Sequence, residues 1–134
     1  MNGETVVIDT SVFMAILRDE ADAPSLLKRL LGYRRRLISA ATWFESAMVC
    51  EGAEAKEGAA RFERIVASLR VEVVPFSPGH AQLALEAFKR FGKGRGAKAA
   101  LNFGDCFVYA LAKELDAPLL FKGNDFAHTD LKPA

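Results

Sequence analysis

Four short apolar runs are spaced along the chain, at residues 6–8, 37–39, 71–74 and 119–121, and each contains Val, Ile or Leu. Runs of this length and composition predict short β-strands. Between the runs, apolar residues recur every three or four positions, which is the period of an amphipathic α-helix. This second pattern predicts helices at residues 12–17, 26–31, 41–52, 59–69, 78–91 and 105–115.

Helices between successive strands imply crossover connections, and crossover connections join parallel strands. We therefore predict a three-layer α/β/α fold with a mainly parallel central sheet. The chain has 134 residues. Because domains commonly hold ~100–150 residues, we expect residues 1–134 to form a single domain.

The composition, with 51% hydrophobic and 26% charged residues, is typical of a globular protein. The apolar runs are interrupted well before the ~18 residues that a membrane span requires, and residues 1–7 lack the basic and apolar regions of a signal peptide. We therefore expect a cytoplasmic protein without membrane association. Cys50 and Cys106 lie in apolar helical patterns, so we expect both to be buried free thiols.

Four acids lie at the ends of predicted strands or near the starts of predicted helices. Asp9 and Asp125 follow the first and last strands, whereas Glu45 and Asp105 lie near the starts of helices. The local explanations are a helix cap for Asp9, a capping box of Thr42 with Glu45, a first-turn position after Asn102 for Asp105, and an Asx turn for Asp125. None of these explains why all four acids fall at one edge of a parallel sheet.

That edge is where open α/β sheets bind ligands, because the carboxyl ends of parallel strands meet there. Three or four carboxylates gathered at one place repel one another and raise some of their pKa values unless a cation is present. Oxygen ligands without a partnering His or Cys suit Mg²⁺ or Mn²⁺. The chemistry implied is metal-assisted phosphoryl hydrolysis, in which ions activate water and stabilise the in-line transition state.

The motifs around these acids resemble those of PIN-domain ribonucleases, and most of all the VapC toxins of bacterial type II toxin–antitoxin systems. They are Val7-Ile8-Asp9-Thr10-Ser11, Ser39-Ala40-Ala41-Thr42 with Glu45, Gly104-Asp105-Cys106 with Tyr109 and Ala110, and Leu120-Phe121-Lys122-Gly123-Asn124-Asp125-Phe126 with Thr129-Asp130. The resemblance covers residues 7–131, and it rests on the order and spacing of the motifs together.

The resemblance implies an acidic quartet of Asp9, Glu45, Asp105 and Asp125. Asp9 and Asp105 would ligate Mg²⁺ or Mn²⁺ directly. The hydroxyl of Thr10 or Ser11 would orient Asp9 or a metal-bound water. The family's activity is endonucleolytic cleavage of structured RNA that leaves 5′-phosphate and 3′-hydroxyl ends. Its members are usually homodimers held inactive by a small cognate antitoxin, for which the helices within residues 12–31 and 43–69 offer apolar contact surfaces.

Cations cluster before the third motif, where Lys89, Arg90, Lys93, Arg95 and Lys98 fall in a stretch without an acid. We expect Lys93, Arg95 and Lys98 to bind RNA phosphates beside a site whose own charge repels RNA. A solvated loop without a partner is the alternative. Lys122, which we group with the RNA-binding cations, is near enough in sequence to Asp125 to be either its charge partner or a substrate contact.

Two aromatic residues and two histidines complete the candidates. We expect Trp43 and Phe44 to pack in the core rather than to stack on bases. Neither His80 nor His128 has a partner at metal-ligand spacing, so we interpret both as structural or exposed.

Other α/β classes fit less well. A phosphoacceptor receiver domain requires two acids after the first strand, where Asp9 is followed by Thr10 and Ser11. A dehalogenase-like phosphatase requires a second Asp at the position of Ser11. Two alternatives stay open within the resemblance. One is a PIN-like module that binds RNA or protein without catalysis, for which we expect one or more acids to be missing. The other is an RNA-processing nuclease with no antitoxin.

Overall fold

In the computed structural model, which describes residues 3–53 and 57–134, four parallel strands form the sheet. The strands are β1 (Gly3–Ile8), β2 (Tyr33–Ser39), β3 (Val71–Val74) and β4 (Leu119–Leu120), in the order β3-β2-β1-β4. The helices are α1 (Thr10–Leu17), α2 (Ala23–Leu31), α3 (Ala40–Ala53), α4 (Gly58–Ser68), α5 (Pro78–Phe91) and α6 (Phe103–Leu115).

Helices cover both faces of the sheet. Side chains alternate between the two faces along a strand, and β1 shows this directly. Val6 and Ile8 pack in a core cluster with residues of α1 to α4, whereas Val7 packs on the other side with α5 and α6. Val7 lies opposite Leu37 of β2 and Leu119 of β4, at the centre of the sheet. The predicted three-layer α/β/α architecture with a parallel sheet is confirmed.

Strand β2 begins at Tyr33, four residues before the start of the strand predicted at residues 37–39, so Arg34, Arg35 and Arg36 lie within the strand rather than before it. Each arginine has a partner outside the core. Arg34 lies 3.8 Å from Glu4, Arg35 lies 3.1 Å from Glu72, and Arg36 donates to the backbone carbonyls of Leu69 and Tyr33 at 2.7 Å each. Backbone pairing with β1 and these side-chain contacts outweigh the low apolar content of the segment.

Helix α6 also begins earlier than its apolar pattern indicates. Its N-cap is Asn102, and its first residue is Phe103. Asp105, which we predicted to open the helix, is therefore the third residue of the first turn. The apolar periodicity starts later than the helix, because Phe103 is exposed and Gly104 has no side chain that could contribute to the pattern.

The segment that follows β4 returns to pair with it. The backbone N–H of Leu119 donates to the carbonyl of Lys132 at 2.8 Å, and that of Ala134 donates to the carbonyl of Leu119 at 2.9 Å. Both cysteines, Cys50 and Cys106, are buried free thiols as predicted. In the described part of the chain, no helix combines the length and apolar character needed to cross a membrane.

Candidate active site

The structure brings the four predicted acids together at the carboxyl edge of the sheet. Asp9 directly follows β1, and Asp125 lies in the segment after β4. Glu45 lies in the second turn of α3, and Asp105 lies in the first turn of α6. Their proximity is evident electrostatically. In addition to burial, the other three carboxylates all raise the pKa of Asp105.

Asp9 is both a helix cap and a member of this group. Its Oδ2 accepts hydrogen bonds from the backbone N–H of Ser11 at 3.0 Å and from the Ser11 hydroxyl at 2.6 Å. Burial raises the pKa of the Asp9 carboxyl, the bonds from Ser11 lower it, and the charges of Glu45 and Asp125 raise it further. Capping occupies one oxygen, so it is compatible with a role for the other oxygen in the site.

Ser11 connects Asp9 to the segment that follows β4. Its hydroxyl donates to Asp9 and accepts a hydrogen bond of 2.9 Å from the backbone N–H of Lys122. The ammonium of Lys122 lies 2.6 Å from Glu20 and 3.1 Å from Asp22, in the turn between α1 and α2. Lys122 is therefore not the charge partner of Asp125, and its contacts hold the segment after β4 against α1.

The predicted capping box of Thr42 and Glu45 was wrong. Helix α3 begins at Ala40, immediately after β2, and the buried Thr42 hydroxyl has no hydrogen-bond partner among the described residues. Glu45 instead accepts a hydrogen bond of 2.7 Å from the hydroxyl of Thr10. The Thr10 hydroxyl also lies 2.9 Å from that of Ser46. Thr10 therefore joins α1 to α3 at the acidic edge and orients Glu45 rather than Asp9.

Gly104 allows α6 to approach Glu45 closely. A Cβ atom at position 104 would collide with the carboxylate of Glu45, whose Oε2 is its nearest neighbour. A larger residue would therefore displace either the start of the helix, which carries Asp105, or the glutamate. Gly104 belongs to the third motif, next to Asp105. Because glycine has no Cβ, it allows another group to approach the backbone closely.

Asp105 is held by a reciprocal capping pair. Asn102 Oδ1 accepts a hydrogen bond of 2.9 Å from the backbone N–H of Asp105, and Asp105 Oδ2 accepts one of 3.0 Å from the backbone N–H of Asn102. Burial raises the pKa of Asp105 to about 7, and the charges of Asp9, Asp125 and Glu45 contribute in the same direction. The hydrogen bond from Asn102 acts against this shift but does not overcome it.

Asp125 is the exposed member of the group. It follows Gly123, whose φ of 103° lies in the region that favours glycine. The turn thus directs the chain from β4 back across the edge of the sheet. Three of the four acids are fixed by hydrogen bonds to the fold, whereas Asp125 sits on a surface segment.

The donor atoms at this edge suit a hard divalent cation. Within the described residues, Asp9 Oδ1 and Asp105 Oδ1 have no hydrogen-bond partner, because the contacts to these carboxylates go to Oδ2. No group of three or more His, Cys, Asp or Glu side chains in residues 3–53 and 57–134 is arranged to hold an ion. Mg²⁺ commonly binds through one or two carboxylates and keeps several waters. The unpaired Oδ1 atoms of Asp9 and Asp105 are donors of the type that a hard divalent cation takes.

The cationic loop between α5 and α6 is ordered by backbone pairing. The N–H of Lys93 donates to the carbonyl of Leu101 at 2.8 Å. Lys93, Arg95 and Lys98 are exposed, and none of them forms an ion pair with another described residue. The Arg95 guanidinium lies 5.7 Å from the centre of the Phe88 ring. The positive charges of the loop are therefore available to a ligand.

The two aromatic residues before Glu45 differ from each other. Trp43 packs on Phe62 in the core, with 5.7 Å between ring centres, as predicted. Phe44 is 65% exposed, so the prediction that it packs in the core was wrong. Met48, four residues later, is also exposed. Residues four apart share a helix face, and on α3 this face is directed to solvent.

The histidines are placed as predicted. His80 is buried, completes a capping box with Ser77, and has its Nε2 2.7 Å from Glu114. His128 is exposed. Both are therefore structural or solvent residues and not members of the acidic group.

An acidic edge on this parallel α/β/α fold defines a class of protein, and a family comparison identifies it. The family model of the PIN domain matches residues 6–132. Ribonuclease VapC28 of Mycobacterium tuberculosis is 39% identical over 129 residues, which are 96% of this chain and 97% of the relative. Ribonuclease VapC of Mycolicibacterium smegmatis is 41% identical over 126 residues, which are 94% and 97% of the two chains. The chain belongs to the VapC ribonucleases of the PIN-domain family.

Solved structures share the fold. VapC20 of Mycobacterium tuberculosis, a sarcin-ricin loop cleaving toxin, has a TM-score of 0.76 at 16% identity, over 96% of this chain and 98% of that one. A toxin-antitoxin complex from Klebsiella pneumoniae contains a chain with a TM-score of 0.68 at 17% identity, over 93% and 92% of the two chains. At these identities the likeness is one of fold.

Proposed function

We propose that this protein is the toxin of a type II toxin–antitoxin pair and that it hydrolyses phosphodiester bonds within RNA. One observation carries the proposal. Asp9, Glu45, Asp105 and Asp125 share one edge of the sheet in a chain whose relatives are named ribonucleases. Burial and neighbouring acids raise the pKa values of Asp9 and Asp105. Carboxylates in such surroundings favour binding of a cation, which relieves the repulsion. Repulsion among the carboxylates therefore explains why the activity would depend on a metal ion.

Asp9 and Asp105 are the residues that would hold the cation, Mg²⁺ or Mn²⁺. When bound, the cation supplies a Lewis acid for the phosphate and lowers the pKa of a coordinated water. Ser11 and Asn102 each fix the Oδ2 atom of one of these aspartates, so that each Oδ1 is presented in a set orientation. Held side chains lose little freedom on binding, which favours a defined geometry.

Glu45 and Asp125 contribute charge and proton acceptance. Thr10 holds Glu45 Oε1, which leaves Oε2 against Gly104 at the start of α6. We propose that Glu45 orients the attacking water. Asp125, exposed on its segment, is placed to approach from the solvent side and accept a proton. Without a cation, Asp105 keeps its own proton up to a pH of about 7.

RNA approaches a site that is negatively charged, so cations outside the site must supply much of the affinity. Lys93, Arg95 and Lys98 lie exposed on the loop that leads into α6, and we propose that they bind phosphates. Lys122 lies between Glu20 and Asp22. A contact from Lys122 to RNA therefore requires exchange of one acidic partner for a phosphate.

We further propose a cognate antitoxin as partner and a homodimer of this one-domain chain as the active form. A neighbour in fold is the VapBC2 complex of Rickettsia felis, with a TM-score of 0.69. A cleft of about 380 Å³ lies between α1, α2 and α4, within the helices predicted for such contacts. Ile16, Leu27 and Ile65 line it together with Arg61 and Arg64. An amphipathic antitoxin segment with acidic flanks would match this lining.

The activity is tested with total bacterial RNA. The purified protein and its Asp9→Asn variant are incubated with RNA in Mg²⁺, Mn²⁺ or EDTA, and new 5′ ends are mapped. We expect discrete cuts that require both the metal and Asp9. The matched control is Asp116→Asn, because Asp116 is exposed at the opposite end of α6 and its φ of 49° suits Asn. Absence of cutting with every metal, while RNA still binds, would establish a binding module instead.

The toxin role is tested separately in a bacterial host. Induced expression of the wild-type chain should arrest growth, whereas Asp9→Asn should not. Coexpression of the protein encoded beside it should restore growth and yield a complex on purification. Metal-dependent cutting without growth arrest or a copurifying partner would indicate the alternative of an RNA-processing nuclease.

A further inference from the structure

A cavity of about 480 Å³ opens beside the acidic edge, and its apolar side chains have no role in the mechanism described above. It lies between α5, the cationic loop and the first turns of α6. Its walls are largely apolar and include Leu85, Phe88, Phe103 and Phe107, while Lys93 and Asn102 supply polar groups. An apolar recess with a few polar groups at its margin is the usual form of a site for a small planar ligand.

Phe103 is the unusual residue of this cavity, because its aromatic side chain is 82% exposed. Its ring is nevertheless oriented, in edge-to-face contact with Phe107 at 4.7 Å between ring centres. Phe107 in turn contacts Phe76 in the same manner at 5.2 Å. An exposed ring supported by a row of partly buried rings offers a flat and preorganised face to a partner.

The cavity and the acidic edge share a residue. Asn102 lines the cavity, and its Oδ1 and backbone N–H form the reciprocal pair with Asp105. The side-chain NH₂ of Asn102 lies outside that pair and can donate a hydrogen bond to a ligand. A group bound in the cavity is therefore separated from the proposed metal site by the Asn102 side chain.

Charge at the margin indicates what binds there. Lys93 lines the cavity, and Arg95 lies over the Phe88 ring at 5.7 Å. Lys98 is exposed on the same loop. A polyanion with flat apolar groups complements this combination. A second copy of the chain does so less well, because a two-fold interface at this face would bring like charges of the two loops towards each other.

We propose that this cavity binds one unstacked nucleobase of the RNA, adjacent to the phosphate that is cut. The base stacks on Phe103, Asn102 donates to its edge, and Lys93 and Arg95 bind the flanking phosphates. This inference rests on the function proposed above. Single-stranded RNA is recognised by bases that leave their own stack for an aromatic side chain. Phe103 is then a determinant of where the RNA is cut.

The test measures RNA binding in the Asp9→Asn background, which prevents cutting. Fluorescent single-stranded homopolymers of A, C, G and U are the probes, and anisotropy gives the Kd. Phe103→Ala should weaken the preferred homopolymer by about 5- to 150-fold, as expected for the loss of one stacked base. Phe103→Leu keeps bulk without a π face and should give an intermediate loss. The salt dependence should not change, since no charge is removed.

The control is Leu115→Ala, at the opposite end of α6, where the leucine is also exposed. It should leave every Kd unchanged. In the wild-type background, Phe103→Ala should retain metal-dependent cutting but spread the 5′ ends over more sequences.

Three results would overturn this inference, and the third of them would also overturn the proposed function. If Phe103→Ala binds and cuts like the wild type, the cavity is not a base site although the nuclease stands. If Phe103→Ala changes the oligomeric state in light scattering and leaves the Kd unchanged, the face is an interface between copies. If the Asp9→Asn protein binds no homopolymer and the wild type cuts nothing, the proposed function itself fails.

Discussion

Two aspartates at α6 differ in their surroundings: Asp105 lies in its first turn, and Asp130 packs against it from the C-terminal segment. Burial and the neighbouring carboxylates raise the pKa of Asp105 to about 7. Asp130, in the C-terminal segment, accepts hydrogen bonds from Tyr109 at 2.8 Å, Lys113 at 2.7 Å and Arg90 at 3.3 Å. Burial acts to raise the pKa of Asp130, but Lys113 and Tyr109 together with the cationic charges lower it below its usual value. The Asp130 carboxylate thus has cationic partners, whereas the Asp105 carboxylate has the backbone N–H of Asn102 and three other acids as its neighbours.

The difference distinguishes a structural acid from a functional one. Asp130 attaches the C-terminal segment to α5 and α6 with groups of the chain itself, and it has no need of a ligand. Asp105 has acids as neighbours, and its charge is compensated only when something from outside binds. Perturbed carboxyl groups in such a cluster are the expected signature of a site that sacrifices stability for function.

The largest effect should follow from Asp105→Asn. The amide oxygen can still accept the hydrogen bond from Asn102, so the cap survives, but a metal-binding charge is lost. We expect RNA cutting to fall by about a thousandfold, because a bound cation supplies several kcal/mol of transition-state stabilisation. The thermal midpoint of the metal-free protein at pH 8 should rise, since a repelled charge has been removed. Initial rates and scanning calorimetry measure the two quantities.

Asp130→Asn is the matched comparison for that variant. It removes a charge of the same kind from the same helix environment, yet it should leave the rate of cutting near that of the wild type at temperatures where the protein is folded. Equal losses of activity in the two variants would show that the contrast between structural and functional acids is wrong.

Gly104→Ala should have the next largest effect. The added Cβ collides with the Glu45 carboxylate. We therefore expect the free energy of unfolding to fall by about 1–3 kcal/mol, the usual cost of overpacking. Activity should also fall, because Glu45 and Asp105 move apart. Gly79→Ala is the control, since its Cβ would make an ordinary 3.6 Å contact with Ser77 and Ala favours the helix. Urea unfolding and cutting rates for both variants decide the matter.

The layers and the edge position of the acids follow from sequence because they depend on local periods. Valines and leucines in short runs, separated by helical spacing, imply parallel strands, and parallel strands place Asp9 and Asp125 at one edge. The side-chain contacts around that edge join residues distant in sequence, such as Thr10 with Glu45 and Lys122 with Glu20, and local patterns do not predict them. A capping box at Thr42 was a sound local prediction, but β2 runs directly into α3 and leaves no cap position there.

Asp130→Asn itself should have a moderate effect on stability. Its hydrogen bonds come from charged and aromatic groups that are partly exposed, so we expect a loss of about 1–2 kcal/mol in the free energy of unfolding at pH 7. Because folding lowers the pKa of Asp130, this stabilisation is present above the pKa of the unfolded chain and disappears as pH falls through the lower folded value. Urea unfolding at pH 7 and at acid pH measures the difference, and a gap that widens in acid would contradict this assignment.

The smallest expected effect is the dependence of stability on pH at Asp105, whose pKa shifts in the direction opposite to that of Asp130. Folding raises the pKa of Asp105 from 3.8 to about 7, so its stabilising contribution is complete below about pH 4 and is lost as pH rises through 7. Below about pH 4 the wild-type carboxyl is protonated in both the folded and the unfolded chain, and its thermal midpoint should match that of Asp105→Asn. Above pH 7 the metal-free wild type should fall a few degrees below the variant, and Mg²⁺ should remove that deficit for the wild type alone. Parallel pH curves for the two proteins in EDTA would mean that the Asp105 carboxyl is not strained by its neighbours.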